Sequence, residues 1–147
     1  MYSDNNINKA KQKSDYNWED KLILVAEDQE LNKIFFSKAL TKTNVKLLWA
    51  SDGELAVALC RLYDNINLVL MDIRMPKLDG IEATKEIRKI RKELPIIAQT
   101  AYPEDGIKEE SMNAGCVDFI TKPIAIPMLL QTIDKYFAKK QNGNHKQ

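Results

Sequence analysis

The stretch "LVLMDIRMPKLDG" (residues 68–80) decides how the rest of the chain reads. Four apolar residues, Leu68 to Met71, run straight into Asp72; Arg-Met-Pro follows, and the turn closes on Gly80. A short, near-continuous apolar run is what a strand covered on both faces looks like. A carboxylate at the mouth of such a strand is partly dehydrated, which costs free energy unless an opposite charge faces it.

Working outward, four more segments have strand character: "LILVA" (22–26), "VKLLWA" (45–50), "PIIAQ" (95–99) and "VDFIT" (117–121). Helical spacing lies between them. Residues 30–41 carry Leu31, Ile34 and Phe35 on one face, and 53–63 carry Leu55, Leu59 and Leu62 behind an N-cap at Asp52. Residues 80–91 place Ala83, Ile87 and Ile90 one above the other. The last helix, 127–139, starts at Pro127 and aligns Ile126, Leu129, Leu130, Ile133 and Phe137. The segment 104–115 is weaker, with only Ile107, Met112 and Ala114 apolar before Gly115 ends it. Strands alternating with helices predict an α/β domain, (βα)5, whose right-handed crossovers wind helices onto both faces of a parallel sheet.

Composition narrows the function classes. The 147 residues include 22 basic and 21 acidic side chains, a net charge of +1, so no global field draws nucleic acid or an anionic membrane. No apolar run reaches the roughly 20 residues of a membrane helix, and direct membrane contact is not expected. Residues 1–19 read as a flexible polar leader or linker, 20–140 as the folded domain and 141–147 as a disordered tail. Cys60 and Cys116 sit far apart in apolar surroundings without metal spacing and read as reduced thiols of a cytoplasmic protein, with a disulfide as the minority reading. His145 is the single histidine, too little for a histidine ligand cluster, a Ser/His/Asp triad or a phosphohistidine carrier.

Ligands of open α/β sheets gather beyond the carboxyl ends of the strands. There the first strand delivers Glu27 and Asp28, the third Asp72, the fourth Thr100 and the fifth Lys122. Each alone has a plain explanation, as a cap, a helix-dipole partner, a turn hydroxyl or a surface lysine. Together they place three carboxylates, a hydroxyl and an ammonium on one edge. Crowded carboxylates repel, and a hard divalent cation such as Mg²⁺ relieves the repulsion with oxygen ligands alone. Cation, ammonium and hydroxyl would then hold a group with three anionic oxygens, as phosphoryl transfer requires. Asp72, central and partly dehydrated, is the expected nucleophile and would form an aspartyl phosphate.

These residues resemble the receiver domain of two-component response regulators. "LILVAEDQELN", "LVLMDIRMPKLDG", "IIAQTA" and "DFITKPI" are similar to that family's motifs and stand in its order, over about residues 22–138. The resemblance implies a flavodoxin-like sheet of strand order 2-1-3-4-5. It implies Asp72 as phosphoacceptor, Asp28 as a direct Mg²⁺ ligand, Glu27 acting mostly through water, and the Arg74 backbone carbonyl completing the metal shell. Thr100 and Lys122 would bind phosphoryl oxygens, a cis bond before Pro123 would orient Lys122, and small Ala101 would admit the phosphoryl group. Phe119, three residues before the lysine, would be the switch aromatic that turns inward when Thr100 moves. Arg74 and Tyr102 would flank the attacking water, and their bulk implies slow self-dephosphorylation.

The implied role is a phosphoacceptor signalling domain rather than a turnover enzyme, served by a histidine kinase or a histidine phosphotransfer domain. Two contexts fit: a stand-alone regulator, or a receiver within a hybrid histidine kinase that is itself membrane-anchored. "YNWEDKLILVAEDQELN", with Asn32 four residues after Asp28, favours the second. Whether phosphorylation drives a homodimer through the 104–138 face stays open. A haloacid-dehalogenase-type phosphatase needs an acid where Arg74 stands, and a flavin binder needs a phosphate-cradling loop where Glu27-Asp28 would repel it. A phosphorylation-independent docking module would not need the intact acid–hydroxyl–lysine set.

Overall fold

The computed structural model describes residues 16–101, 103 and 106–145. Five strands, β1 (Leu22–Ala26), β2 (Lys46–Ala50), β3 (Leu68–Asp72), β4 (Ile96–Thr100) and β5 (Asp118–Thr121), form one sheet. All pairings are parallel and the order is β2-β1-β3-β4-β5, as the resemblance implies. The helices are α1 (Glu30–Leu40), α2 (Gly53–Leu62), α3 (Gly80–Ile90), α4 (Ile107–Ala114) and α5 (Ile126–His145).

Strand alternation sorts the core into two layers. Ile23, Val25, Leu68, Leu70, Ile97 and Ile120 point to the α1/α5 face, where Phe36, Leu129 and Ile133 cover them. Leu24, Val69, Met71, Ile96 and Ala98 point to the other face, under α2, α3 and α4. Both cysteines are buried free thiols, and burial pushes each up to about 11.

The helix faces differ in part from the periodic assignment. α1 buries Phe36, Ala39 and Leu40, while Leu31 (81% accessible) and Ile34 (48%) project into solvent. α2 packs through Ala56, Val57 and Cys60; Leu55 and Leu62 are exposed and Leu59 is half-buried. A helix seated close on a sheet contacts it through small residues, so the line of leucines rides the flank. Ile90, Met112 and Ile126 are likewise exposed, whereas Ala83, Ile87, Leu129, Ile133 and Phe137 are buried as expected.

Two boundaries also move. Trp18, counted with the leader from its polar neighbours, is buried against Phe137 in an edge-to-face pair and belongs to the folded domain. α5 begins at Ile126, one residue before Pro127, and continues to His145 through residues assigned to the tail. The helix-favouring run Ala138-Lys139-Lys140-Gln141 carries it on.

Close packing at the carboxyl edge fixes the loops that matter. A Cβ on Gly80 would lie 2.3 Å from the Asp72 carbonyl oxygen, so α3 starts directly against the end of β3. A Cβ on Gly53 would meet the Leu78 carbonyl oxygen at 1.8 Å, which wedges the loop 76–79 against the start of α2. Asp52 and Asp79 cap α2 and α3 by accepting from the N–H groups of Leu55 and Glu82.

Candidate functional site

Glu27 follows β1 and is completely buried, Asp28 next to it is exposed, and Asp72 is the last residue of β3 and 5% accessible. One carboxylate oxygen from each lies within 4.8 Å of the others. The charge facing Asp72 is Lys122: its Nζ lies 3.6 Å from Asp72 Oδ2 and 3.1 Å from Glu27 Oε1. The second Glu27 oxygen accepts from Asn32 Nδ2 and from the Gln29 backbone N–H, both at 3.2 Å. Asp72 Oδ1 accepts from the Arg74 backbone N–H at 3.2 Å.

One ammonium does not balance three acids. Burial, and then the Glu27 charge, push the Asp72 carboxyl up to about 7, against the opposing pull of Lys122 and the Arg74 N–H. A cation-sized excess of negative charge on oxygen-only donors, one of them open to solvent, fits a hard divalent cation. Beside the cluster a cavity of about 430 Å³, lined by Asp28, Arg74, Met75, Pro76, Ile107 and Glu110 among others, opens between the β3–α3 loop and α4.

The other sequence-assigned residues fall around this cluster. Thr100 ends β4, is buried, and its carbonyl accepts the Lys122 N–H at 2.8 Å. The Lys122–Pro123 peptide is cis. The Arg74 side chain is exposed at the mouth. Phe119 is half-buried, packed on the α2–α4 side and paired in register with Ala98. Tyr102 lies outside the described residues. Sequence reasoning took Asn32 only as a mark of a subgroup and missed its bond to Glu27; its position one helical turn past Asp28 is the signal that was available.

A family model for the response regulator receiver domain matches residues 23–134. The chain belongs to the response regulator receiver family. Its matches include a hybrid signal transduction histidine kinase I of Dictyostelium discoideum, 37% identical over 125 residues. That alignment takes in 80% of this chain but only 7% of the kinase. The polar-differentiation response regulator DivK of Brucella ovis is 32% identical over 118 residues, covering 79% of this receiver and 95% of DivK. Among solved structures, the receiver domain of the sensor histidine kinase PA1611 from Pseudomonas aeruginosa, with magnesium coordinated in its active-site cleft, is 31% identical. It superposes with a TM-score of 0.75 over 80% of this chain and 98% of that one. Receivers accept phosphoryl groups as signals rather than turning over a substrate, and their partners are histidine kinases or histidine phosphotransfer proteins.

Proposed function

We propose that this receiver takes a phosphoryl group from a phosphohistidine onto Asp72. The observation that carries the reading is a buried strand-end carboxylate held within 4.8 Å of two others and faced by a lysine. A carboxylate oxygen of Asp72 attacks phosphorus, the P–N bond to the donor imidazole breaks, and the imidazole leaves with its electron pair and takes a proton from solvent. Glu27, Asp28, Asp72 and the Arg74 carbonyl would hold Mg²⁺, which supplies charge neutralisation for the transferring group. Lys122, already between Glu27 and Asp72, stabilises the phosphoryl oxygens, and the Thr100 hydroxyl binds them from β4. Burial and the Glu27 charge raise the Asp72 carboxyl, and Lys122 opposes that rise, which favours the reactive carboxylate form.

Phe119 serves as the switch aromatic, coupling Thr100 to the β4–α4–β5 side, and the signal leaves by the 104–138 face through a partner or a homodimer. Arg74 and Tyr102 restrict water and prolong the phosphorylated state; Tyr102→Ala is expected to speed phosphate loss about tenfold, measured by intact mass over time. The donor is a histidine phosphotransfer domain or kinase that covers the site mouth. The outward Leu31 and Ile34 of α1, with Met128 of α5, support this, because such apolar side chains are left uncovered here. A place in the cytoplasmic part of a hybrid histidine kinase is the favoured context. Among the described residues no helix is long and apolar enough to cross a membrane.

Incubation with Mg²⁺ and a small acyl phosphate, followed by intact-mass measurement, tests the reading. Wild type gains one phosphoryl group, while Asp72→Asn and a chelated sample gain none. Equal labelling of Asp72→Asn would refute the assignment.

A further inference from the structure

β4 carries an anomaly that the phosphoacceptor site does not account for. Gln99 is 2% accessible, and neither its Oε1 nor its Nε2 has a hydrogen-bond partner. A buried amide without partners is costly, and apolar residues of similar volume fit a strand interior better. Its place is specific. In register, Gln99 lies beside Asp72 on β3 and Ile120 on β5. Strand alternation puts it on the α1/α5 face with Ile97, the face to which Leu70, and hence Asp72, also belongs. Glu27, continuing Ile23 and Val25, falls on the same face. The three form one row across adjacent strands, acid, acid, amide, with neighbouring strands about 4.8 Å apart.

Lys122 follows Ile120, the β5 member of that row, by two residues and so leaves just beyond the end of β5, its N–H bonded to the Thr100 carbonyl next to Gln99. At present its ammonium reaches across to Glu27 and Asp72. A cavity of about 180 Å³, lined by Asn32, Phe35, Phe36, Lys122, Pro123 and Ile124, leaves space around the lysine. An ammonium has three donors; one bonds Glu27 Oε1 at 3.1 Å, and Asp72 Oδ2 lies 3.6 Å away as an ion pair.

We propose that Gln99 is a positioning residue for Lys122: its Oε1 accepts an ammonium proton when a phosphoryl group occupies Asp72. This rests on the phosphoacceptor reading and deepens it. With the phosphoryl oxygens added beside β4, the ammonium shifts toward that strand and comes over the amide. The hydrogen bond then fixes the direction from which Lys122 meets the phosphoryl group, and the amide gains the partner it lacks in the free receiver. Gln99 touches the lysine and not the phosphoryl group, so its effect passes entirely through Lys122.

A double-mutant cycle on beryllofluoride, an acyl-phosphate mimic, tests this without reference to turnover. Its affinity in the presence of Mg²⁺ is measured by fluorine NMR for wild type, Gln99→Met, Lys122→Ala and the double variant. Gln99→Met is expected to weaken binding roughly tenfold, about one hydrogen bond, and to have no effect in the Lys122→Ala background. Equal losses in both backgrounds, or a Gln99→Met protein with raised melting temperature and unchanged affinity, would overturn the inference and leave the phosphoacceptor reading intact. Wild type that binds no beryllofluoride, like the Asp72→Asn control, would overturn both. In ¹⁵N-labelled wild type the Gln99 side-chain amide signals should move on beryllofluoride binding; signals that stay put also refute the contact, whatever the variants do.

Discussion

The site lies between two helices of unequal construction, α3 and α4. α3 opens with a side-chain cap from Asp79, buries Ile81, Ala83, Thr84 and Ile87, and its close approach at Gly80 admits no Cβ. α4 opens at Gly106, with φ of 88° and no side-chain cap, and buries only Ser111 and Ala114. The two meet at one end. The Arg88 guanidinium of α3 donates to the carbonyls of Arg91, Lys92 and Leu94, and also to Gly115 at the end of α4. α4 is therefore tied to α3 at its carboxyl end and loosely held at the end nearest Thr100. The difference teaches where a signal can travel: the wall carrying Asp72 is rigid, while the opposite wall can shift at low cost.

Cutting the tie is the most severe way to break the comparison. Arg88→Ala leaves four carbonyls without that donor and is expected to cost about 3 kcal/mol in urea unfolding. Hydrogen exchange should rise most across α4 and β5 and least at β1 and β3. Uniform loss of protection would mean that α4 is no looser than α3.

A milder perturbation addresses the rigid wall. An acid whose folded pKa, about 7, lies above its ordinary 3.8 binds its proton more tightly in the folded state. The stability Asp72 contributes is therefore complete below its unfolded pKa and lost as pH rises through about 7. Without divalent ions the melting temperature should fall between about pH 4 and 7 and level off above, by about 3 °C for each 1 kcal/mol lost. Asp72→Asn should flatten the profile, and an identical slope in that variant would place the titration elsewhere.

The strands, and the gathering of Glu27, Asp28, Asp72, Thr100 and Lys122, were legible because β1, β3, β4 and β5 each deliver a functional residue at or just after their carboxyl end, while the strand order came from the family resemblance. Helix faces were less so. Leu31, Leu55 and Leu62 match a buried stripe by residue type, yet burial follows where the sheet lies beneath each turn, which spacing alone does not encode. The Arg88 clamp was invisible for a related reason: its acceptors are backbone carbonyls, which carry no residue signature. Gln99 left a trace, a lone amide in "PIIAQ", but its meaning depends on the register that sets it beside Asp72.

The smallest effect sharpens the comparison from the α4 side. Ser111 is wholly buried, and its hydroxyl has no hydrogen-bond partner. Ser111→Ala removes an orphaned polar atom and improves helix propensity, so stability should rise by roughly 0.5–1 kcal/mol in urea unfolding. The same change firms the attachment of α4, so exchange across 107–114 should slow while that of α3 stays as it was. If α4 has to move for the Thr100–Phe119 switch, the stiffer variant accepts phosphate at the wild-type rate but binds its output partner more weakly when phosphorylated. A destabilised Ser111→Ala protein would mean that the hydroxyl does useful bonding, and that α4 is held more firmly than its sparse burial implies.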